Sequence, residues 1–418
     1  MVLKLYVDKI HRLVKKMMCR IHNAYKCVTY PYYEYTDLES AAREFPKNIR
    51  LLAFKTHSSF CSYPTYYPEK ETSVVFGVNV TIKRALIHNA KCFVYSDVIL
   101  LSNNKILNEL KDIKYYRDKI DFTDEVILRD KDVVCQLNCD HSTKTKKIPI
   151  AIKIGGMFGF NYYHFVYQLL PRMNYLDDID SSVPLLLDAS ARDVSTIKQL
   201  VECANMQDRK ILYMDYGYCY DIEDLYYITS PNIIAPNIKS KKFNHAQLAF
   251  FTSKSLEYLR DMLLVYKSTV QTPEYVFIAR RKASKRRCFN EEECGEVLKK
   301  HGFVEIYPER LTLAEQIAIF NNAKIIVGAT GAAFANMIFC NINTNVVILT
   351  NYKMPFPYFS SISSFVGNRV VYLFDTKLGV APSFNTIKYT HRSFTIDTNM
   401  LSDVIALIKF KVSDKNNT

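Results

Sequence analysis

The sequence of 418 residues contains no tryptophan and no apolar run near the roughly 20 residues that a helix needs to cross a bilayer. The missing run argues against a membrane-spanning helix. The 11 cysteines are odd in number and scattered, and no unbroken apolar leader segment is recognisable before them. Cysteines in this pattern favour reduced thiols. We therefore expect a cytoplasmic protein.

Metal-binding patterns are weak as well. Cys135, Cys139 and His141 form a C-x3-C-x-H group, but no clear second pair of ligands accompanies it, and an ordinary strand-edge loop explains it better. The stretch 177–180 resembles a metal-holding D-x-D motif. Because it follows a predicted helix rather than a strand, we interpret it as a solvated acidic loop. We expect no metal and no other cofactor.

The formal net charge of +13 is high. It predicts attraction to anions, which include nucleotides, nucleic acid, acidic glycans and anionic lipid, and it does not choose among them. Nucleic-acid binding would need aromatic side chains interleaved with cations on an exposed face. The tyrosine-rich stretch 213–227 is acidic, which argues against a nucleic-acid partner.

Residues 2–26 repeat apolar side chains at helical spacing, with Lys and Arg between them. The pattern predicts a basic amphipathic helix. One interpretation is a helix that lies on an anionic membrane surface, which would make the protein peripheral on the inner face of a membrane. The other is a terminal helix packed on the protein with a solvated basic face. The sequence leaves both open.

The most regular stretch runs from residue 275 to residue 350 and alternates apolar runs with helical patterns. The four apolar runs are 275–279, 303–307, 324–327 and 346–349. Alternation of this kind predicts a parallel sheet with right-handed crossovers. Because the runs are continuously apolar, helices should cover both faces of the sheet. Thr312 and Glu315 form a capping-box pattern that predicts where the second helix begins.

Two strand ends in this stretch carry residues suited to phosphate. The first run is followed directly by a cluster of cations: Arg280, Arg281, Lys282, Lys285, Arg286 and Arg287. The third run is followed by the small-residue loop 328–333, which leads into a helical pattern. Guanidinium groups grip phosphate in bidentate fashion, and a helix N-terminus offers free N–H groups. Ligands bind outside the carboxyl ends of parallel strands, so we expect pyrophosphate there. A solvated basic loop and a tight turn are the structural alternatives.

The rest of the chain is less regular. Residues 148–230 repeat the alternation of strands and helices, and residues 231–245 have the composition of a linker. We therefore predict an α/β fold of two units, 1–240 and 241–418, that face each other across a cleft. Residues 28–72 are rich in Tyr, Pro, Ser and Thr and predict irregular structure.

Four sequence blocks resemble those of glycosyltransferase family 61. The first two are Asn161-Tyr162-Tyr163-His164-Phe165 with Leu170-Pro171-Arg172, and Ala279-Arg280-Arg281 with Arg286-Arg287 and Asn290-Glu291. The other two are Pro308-Glu309 with Leu311, Glu315-Gln316 and Ala323, and Gly328-Ala329-Thr330-Gly331-Ala332 with Asn336. The blocks stand in the family's order, and the resemblance covers about residues 75–375.

The resemblance implies a GT-B-like arrangement of two Rossmann-type domains and an inverting glycosyltransferase. The carboxy-terminal domain would bind a nucleotide sugar, with a UDP-sugar favoured, and the amino-terminal domain a glycan or glycolipid acceptor. Such an enzyme would serve surface polysaccharide synthesis. Arginines and a helix end can neutralise the leaving diphosphate without a metal. The expected donor-binding residues are Arg280, Arg281, Arg286, Arg287, Glu309, Thr330, Gly331, Ala332 and Asn336.

The candidate general base is His164. Inversion needs a group that takes the proton from the attacking acceptor hydroxyl, and imidazole, with an ordinary pKa of about 6.5, suits neutral pH. Asn161, one turn earlier, is the candidate for orienting the acceptor or the imidazole. A core histidine in a tyrosine-rich helix is the structural alternative.

Three positions depart from the family's blocks. Thr330 stands where the family has a His, Gln168 where it has an acid, and Ala279 where it has a Ser. A protein of the same fold that binds a nucleotide or glycan without catalysis is therefore the first alternative. A basic nucleic-acid-binding protein is the second.

Overall fold

The computed structural model describes residues 31–62, 75–108, 124, 126–131, 133–138, 144–234, 249–280, 288–352, 357–375 and 392–415. The predicted helix 2–26 lies outside these ranges, as do the cations at 281–287 and most of the linker 231–245. Cys139 and His141 also lie outside them, so the C-x3-C-x-H group cannot be placed. Within the described ranges, no helix is long and apolar enough to cross a membrane.

The described residues of the first part of the chain form a mixed sheet of 13 strands. Its strands are β1 Tyr32–Thr36, β2 Ile49–Ser62, β3 Val75–Cys92, β4 Val98–Leu100, β5 Lys105–Asn108, β6 Ile127–Asp130, β7 Val134–Leu137, β8 Lys144–Lys153, β9 Leu185–Asp188, β10 Ile211–Met214, β11 Tyr218–Ile228, β12 Ile233–Ile234 and β13 Ala249–Thr252. The central pairs β2–β3 and β3–β11 are antiparallel. The pairs β11–β8, β8–β9 and β9–β10 are parallel.

The parallel part of this sheet contains the predicted alternation of strands and helices. Between β8 and β9 lies a helical segment, residues 162–175, and between β9 and β10 lie helices α2 Ser190–Asp193 and α3 Ser195–Ala204. The carboxyl end of β8 therefore leads directly into the segment that carries His164.

The prediction of irregular structure for residues 28–72 was wrong. The described part of that range forms β1, the short helix α1 Leu38–Glu44 and the long strand β2. Tyr and Thr favour strands. However, β2 alternates only weakly between buried and exposed side chains, so its sequence lacks the clear alternation by which a half-buried strand is recognised. Soon after the predicted linker comes β13, which pairs with β2 in the first sheet. The division into units 1–240 and 241–418 stays a prediction.

The predicted parallel sheet is confirmed in the second part of the chain. Its five strands run in the order β15-β14-β16-β17-β18, and every neighbouring pair is parallel. They are β14 Tyr275–Ile278, β15 Val304–Ile306, β16 Ile325–Ala329, β17 Asn345–Thr350 and β18 Arg369–Phe374. The helices here are α4 Ser253–Leu264, α5 Glu291–Lys300, α6 Leu313–Asn322, α7 Pro357–Val366 and α8 Thr398–Lys415.

Helices cover both faces of this sheet, as its continuously apolar strands predict. Phe277 and Val327 pack in one core cluster with side chains of α5 and α8. Ile278 and Ile326 pack on the opposite face, in a larger cluster that includes side chains of α6 and α7. The α/β fold is therefore confirmed, and the GT-B arrangement of two domains around a cleft stays a prediction.

A buried carboxylate at the end of β9 organises the loop before His164. Asp188 Oδ1 accepts a hydrogen bond from the N–H of Tyr95 (2.7 Å), and Oδ2 accepts one from the N–H of Gly156 (2.8 Å). A Cβ added at Gly159 would lie 2.5 Å from Oδ2, so that position must remain glycine for the loop to close around the carboxylate. Burial raises the pKa of Asp188 to about 6, although the ammonium of Lys153 opposes this shift.

Asp188→Ala should lower the free energy of unfolding by at least about 2 kcal/mol, because it leaves two buried N–H groups without an acceptor. Urea denaturation measures this change. Asp261→Ala, at an exposed position of α4, is the matched control and should change stability by less than about 0.5 kcal/mol. Equal stability of the two variants would show that Asp188 does not hold the loop.

Candidate functional site

The helical segment 162–175 begins at Asn161 and changes geometry along its length. Asn161 Oδ1 accepts a hydrogen bond from the N–H of Tyr163 (3.0 Å), so its side chain caps the segment. One α-helical turn, Tyr162–His164, is followed by a π-helical turn, Phe165–Leu169, and a 3-10 stretch, Leu170–Tyr175. Pro171, the second residue of the 3-10 stretch, lacks an N–H group and cannot continue the earlier hydrogen-bonding pattern. Single π-helical turns occur frequently at functional sites.

Gln168 fixes the hydrogen-bonding state of His164. Gln168 Nε2 donates to the carbonyl oxygen of Ile234 (3.1 Å), and a carbonyl can only accept. The amide oxygen of Gln168 therefore faces the Nδ1 atom of His164, with which it is in contact. An amide oxygen also only accepts, so Nδ1 must carry a proton, and the lone pair of the neutral imidazole lies on Nε2. The geometry thus assigns Nε2 as the basic atom.

Arg280, the one described member of the cation cluster, lies against the loop that follows β16. Its Nη1 donates to the carbonyl oxygen of Thr330, and its backbone N–H donates to Glu291 Oε1 (2.9 Å). A Cβ at Gly331 would lie 2.7 Å from the guanidinium carbon, so any side chain there would displace the guanidinium group from this position. Burial lowers the pKa of Arg280, and the carboxylates of Glu291 and Glu309 oppose that shift. The structure therefore brings Arg280, Thr330, Gly331 and Glu309 together.

A chain of buried hydrogen bonds joins the helical segment 162–175 to the same loop. The hydroxyl of Tyr162 donates to Asn336 Oδ1 (2.7 Å), and Asn336 Nδ2 donates to Gln316 Oε1 (2.8 Å). Gln316 Nε2 then donates to the carbonyl oxygen of Pro308 (2.9 Å), in the turn that carries Glu309. We call Tyr162, Asn336, Gln316 and Pro308 the buried relay. It places elements of both sheets next to one another.

The predicted donor-binding residues have different surroundings. Ala332 is half-buried and starts a 3-10 helix, Ala332–Phe339, instead of an α-helix. Both ends of the Asn336 amide are engaged in the buried relay, so this side chain holds the loop in place. Arg281, Arg286 and Arg287 lie outside the described residues. Direct donor contact by any of these residues stays a prediction.

Sequence reasoning missed the residues that support the site: Tyr162, Gln168, Glu291 and Gln316. All four lie within the spans of the sequence blocks, and Gln168 is noted there only as a departure from the family's acid; membership of a block was the available signal. Glu291, for example, has no role assigned in the sequence analysis beyond its place in the second block, whereas in the structure its carboxylate accepts a hydrogen bond from the backbone N–H of Arg280.

The acidic stretch 177–180 has structural partners. Asp178 pairs with Arg84, and Asp180 Oδ1 accepts a hydrogen bond from the N–H of Ser182 (2.8 Å). In the part of the chain that the structure describes, no group of three or more His, Cys, Asp or Glu side chains could hold a metal ion. The expectation of metal-free chemistry stays a prediction.

Comparison with known proteins shows that part of the chain is similar to a family of glycosyltransferases. Residues 162–347 match the family model described as Glycosyltransferase 61, a range that includes His164, Arg280 and Gly331. No curated protein matches the chain. The match confirms the resemblance of the four sequence blocks to this family, and the family indicates glycosyltransferase activity, with a sugar donor and an acceptor.

Gln168→Glu should raise the pH at which the His164 imidazole is half protonated by about one unit or more. A carboxylate beside the ring stabilises the imidazolium cation, whereas the native amide carries no charge. NMR titration of histidine-labelled protein measures the midpoint without any substrate, and His164→Ala identifies the signal. Gln168→Met, which removes the partner without adding charge, should not raise the midpoint. An unchanged midpoint in Gln168→Glu would argue against the contact.

Proposed function

We propose, from the match of residues 162–347 to glycosyltransferase family 61, that the protein transfers a sugar from a nucleotide sugar to a glycan or glycolipid hydroxyl with inversion. The observation that carries the proposal is the buried relay. It holds the segment of His164 beside the loop of Thr330 and Gly331 and the turn of Glu309. A proton acceptor and a cationic edge thus lie on adjacent elements, as such a transfer requires.

The donor diphosphate binds at the carboxyl edge of the second sheet in this proposal. Arg280 lies there beside Gly331, and Arg281, Arg286 and Arg287 follow it closely in sequence. Guanidinium groups there would neutralise the charge that develops on the leaving diphosphate. Glu309 is exposed and close enough to Arg280 to influence its pKa, which suits it to accept hydrogen bonds from ribose or sugar hydroxyls. A UDP-sugar is the proposed donor.

His164 accepts the proton of the acceptor hydroxyl. The acceptor oxygen forms a bond to the anomeric carbon as the bond from that carbon to the diphosphate oxygen breaks. The hydroxyl proton passes to Nε2, and the nucleoside diphosphate leaves with the bonding electrons. Attack from the face opposite the diphosphate inverts the carbon. Gln168 replaces the family's acid as a neutral partner of the imidazole, so the proton-accepting role belongs to His164. The proposed reaction uses no divalent metal.

The proposed setting is assembly of a surface polysaccharide at the cytoplasmic face of a membrane. The basic amphipathic pattern of residues 2–26 supports this setting, because such helices bind anionic lipid. Glycan binding without turnover is the second candidate function. The replacement of the family's acid by Gln168 is the observation that favours it.

His164→Ala should lower kcat by about 100-fold or more, the usual scale for loss of a general base, while the KM for the nucleotide sugar stays within about twofold. His88→Ala is the matched control, because His88 is also half-buried and hydrogen-bonded, here to Asp224 (2.5 Å), but lies on β3. It should keep full turnover.

Steady-state rates with a nucleotide sugar and an oligosaccharide acceptor test this prediction. Full activity of His164→Ala would rule out its role as the base. Activity that EDTA abolishes and Mn²⁺ restores would overturn the metal-free part of the proposal. Binding of both substrates without measurable turnover by the unmodified protein would favour the second candidate function.

A further inference from the structure

Four aromatic side chains form a continuous row that ends at His164. The ring centroids of Tyr216 and Tyr95 lie 5.2 Å apart, and those of Tyr95 and Phe160 lie 5.3 Å apart. The row continues from Phe160 to Phe158 (6.1 Å) and from Phe158 to the imidazole of His164 (4.8 Å). These separations are those of packed aromatic rings. We call Tyr216, Tyr95, Phe160 and Phe158 the aromatic row.

The row presents two large rings to solvent. Phe160 is 47% exposed and Tyr216 is 53% exposed, whereas Tyr95 between them is only 7% exposed. Single exposed apolar side chains are common on protein surfaces. Phe160 and Tyr216 both pack on the buried ring of Tyr95, and Phe158 connects Phe160 to His164. The two exposed rings therefore belong to one contiguous patch that leads to the candidate catalytic group, which is typical of a binding surface.

The fold holds the row in a strained, rigid arrangement. Tyr95 and Phe158 have φ angles of 51° and 61°, in the left-handed region that costs a side-chain-bearing residue about 1–2 kcal/mol. Asp188 holds the N–H of Tyr95, and the hydroxyl of Tyr95 accepts a hydrogen bond from the N–H of Ser190 (3.1 Å). Strained backbone persists where its surroundings determine it strongly, and it clusters at binding and catalytic sites. Rings held in this way lose little freedom when a ligand binds.

Polar groups border the row at its far end. Arg192 Nη2 donates to Asp215 Oδ1 (3.1 Å), directly before Tyr216 in sequence, and Lys146 Nζ lies 3.7 Å from Asp215 Oδ2. An apolar platform with a few charged groups at its edge suits a ligand with apolar faces and a hydroxylated rim. A sugar ring has this character, since its C–H groups form a face and its hydroxyls lie around the edge.

We propose that the aromatic row is the acceptor subsite and that the acceptor is an oligosaccharide of at least two sugar units. One sugar ring stacks on Phe160 and a second on Tyr216, while the terminal hydroxyl reaches His164 at the end of the row. This inference rests on the proposed function, because it takes His164 as the group that the acceptor hydroxyl must meet. It goes further by naming the acceptor class and the residues that select it.

The kinetic test compares Phe160→Ala and Tyr216→Ala with two matched controls. Phe54→Ala on β2 and Tyr266→Ala after α4 remove rings that are 47% and 44% exposed, outside the row. Each row variant should raise the KM for a tetrasaccharide acceptor about tenfold and leave the KM for the nucleotide sugar unchanged. Tyr216→Ala should have less effect with a monosaccharide acceptor, which cannot reach both rings. Phe160→Leu and Tyr216→Leu keep the apolar volume but remove the flat ring. If the flat ring is what binds the sugar, these variants should raise the KM for the tetrasaccharide as much as the alanine variants do.

A binding test separates this inference from the proposed reaction. The unmodified protein and the double variant Phe160→Ala/Tyr216→Ala are applied, without donor, to a printed array of oligosaccharides and to anionic phospholipid vesicles. If the unmodified protein binds an oligosaccharide and the double variant does not, the result supports the acceptor subsite, even if no donor is ever turned over. Equal binding by the two proteins, or binding through these residues to vesicles and to no oligosaccharide, would overturn it.

Discussion

The hydrogen bond from the hydroxyl of Tyr162 to the amide of Asn336 links the two halves of the site. Tyr162 stands two residues before His164, and Asn336 stands five residues after Gly331. Each group is part of a buried relay, and a buried polar group that loses its partner costs about 1–3 kcal/mol. The relay therefore fixes the position of the His164 segment relative to the loop that meets Arg280. The proposed base and the proposed donor-binding edge both depend on that position.

Asp188 plays the corresponding part where we propose that the acceptor binds. Its carboxylate is buried, and its two hydrogen bonds hold Tyr95 and the Gly156 loop that leads into the His164 segment. Tyr95, whose backbone is left-handed, donates one of these hydrogen bonds, and left-handed Phe158 stands two residues after Gly156. One buried carboxylate thus supports both the aromatic row and the loop that leads to the proposed base.

The second sheet was predictable and most of the first sheet was not, for a physical reason. Strands β14, β16, β17 and β18 are buried on both faces, so their sequences are continuous apolar runs that local reading recognises. Strand β2 is half-exposed and contains Ser, Thr, Lys and His, so its strand character comes from pairing with β3 rather than from its own pattern. Candidate site residues in the four blocks were chosen by their residue types. Their partners were not, because Tyr162 and Asn336 lie 174 positions apart, and the orientation of Gln168 depends on the carbonyl group of Ile234.

The central claim is that the carboxyl edge of the second sheet binds the diphosphate of a nucleotide sugar. Calorimetric titration with UDP tests it most directly, using the unmodified protein, the double variant Arg286→Ala/Arg287→Ala and the control Arg50→Ala, which changes an exposed cation on β2. The account predicts binding by the unmodified protein, an affinity at least about tenfold weaker in the double variant, and no change in the control. Unchanged affinity in the double variant, or no binding of any nucleoside diphosphate by the unmodified protein, would contradict it.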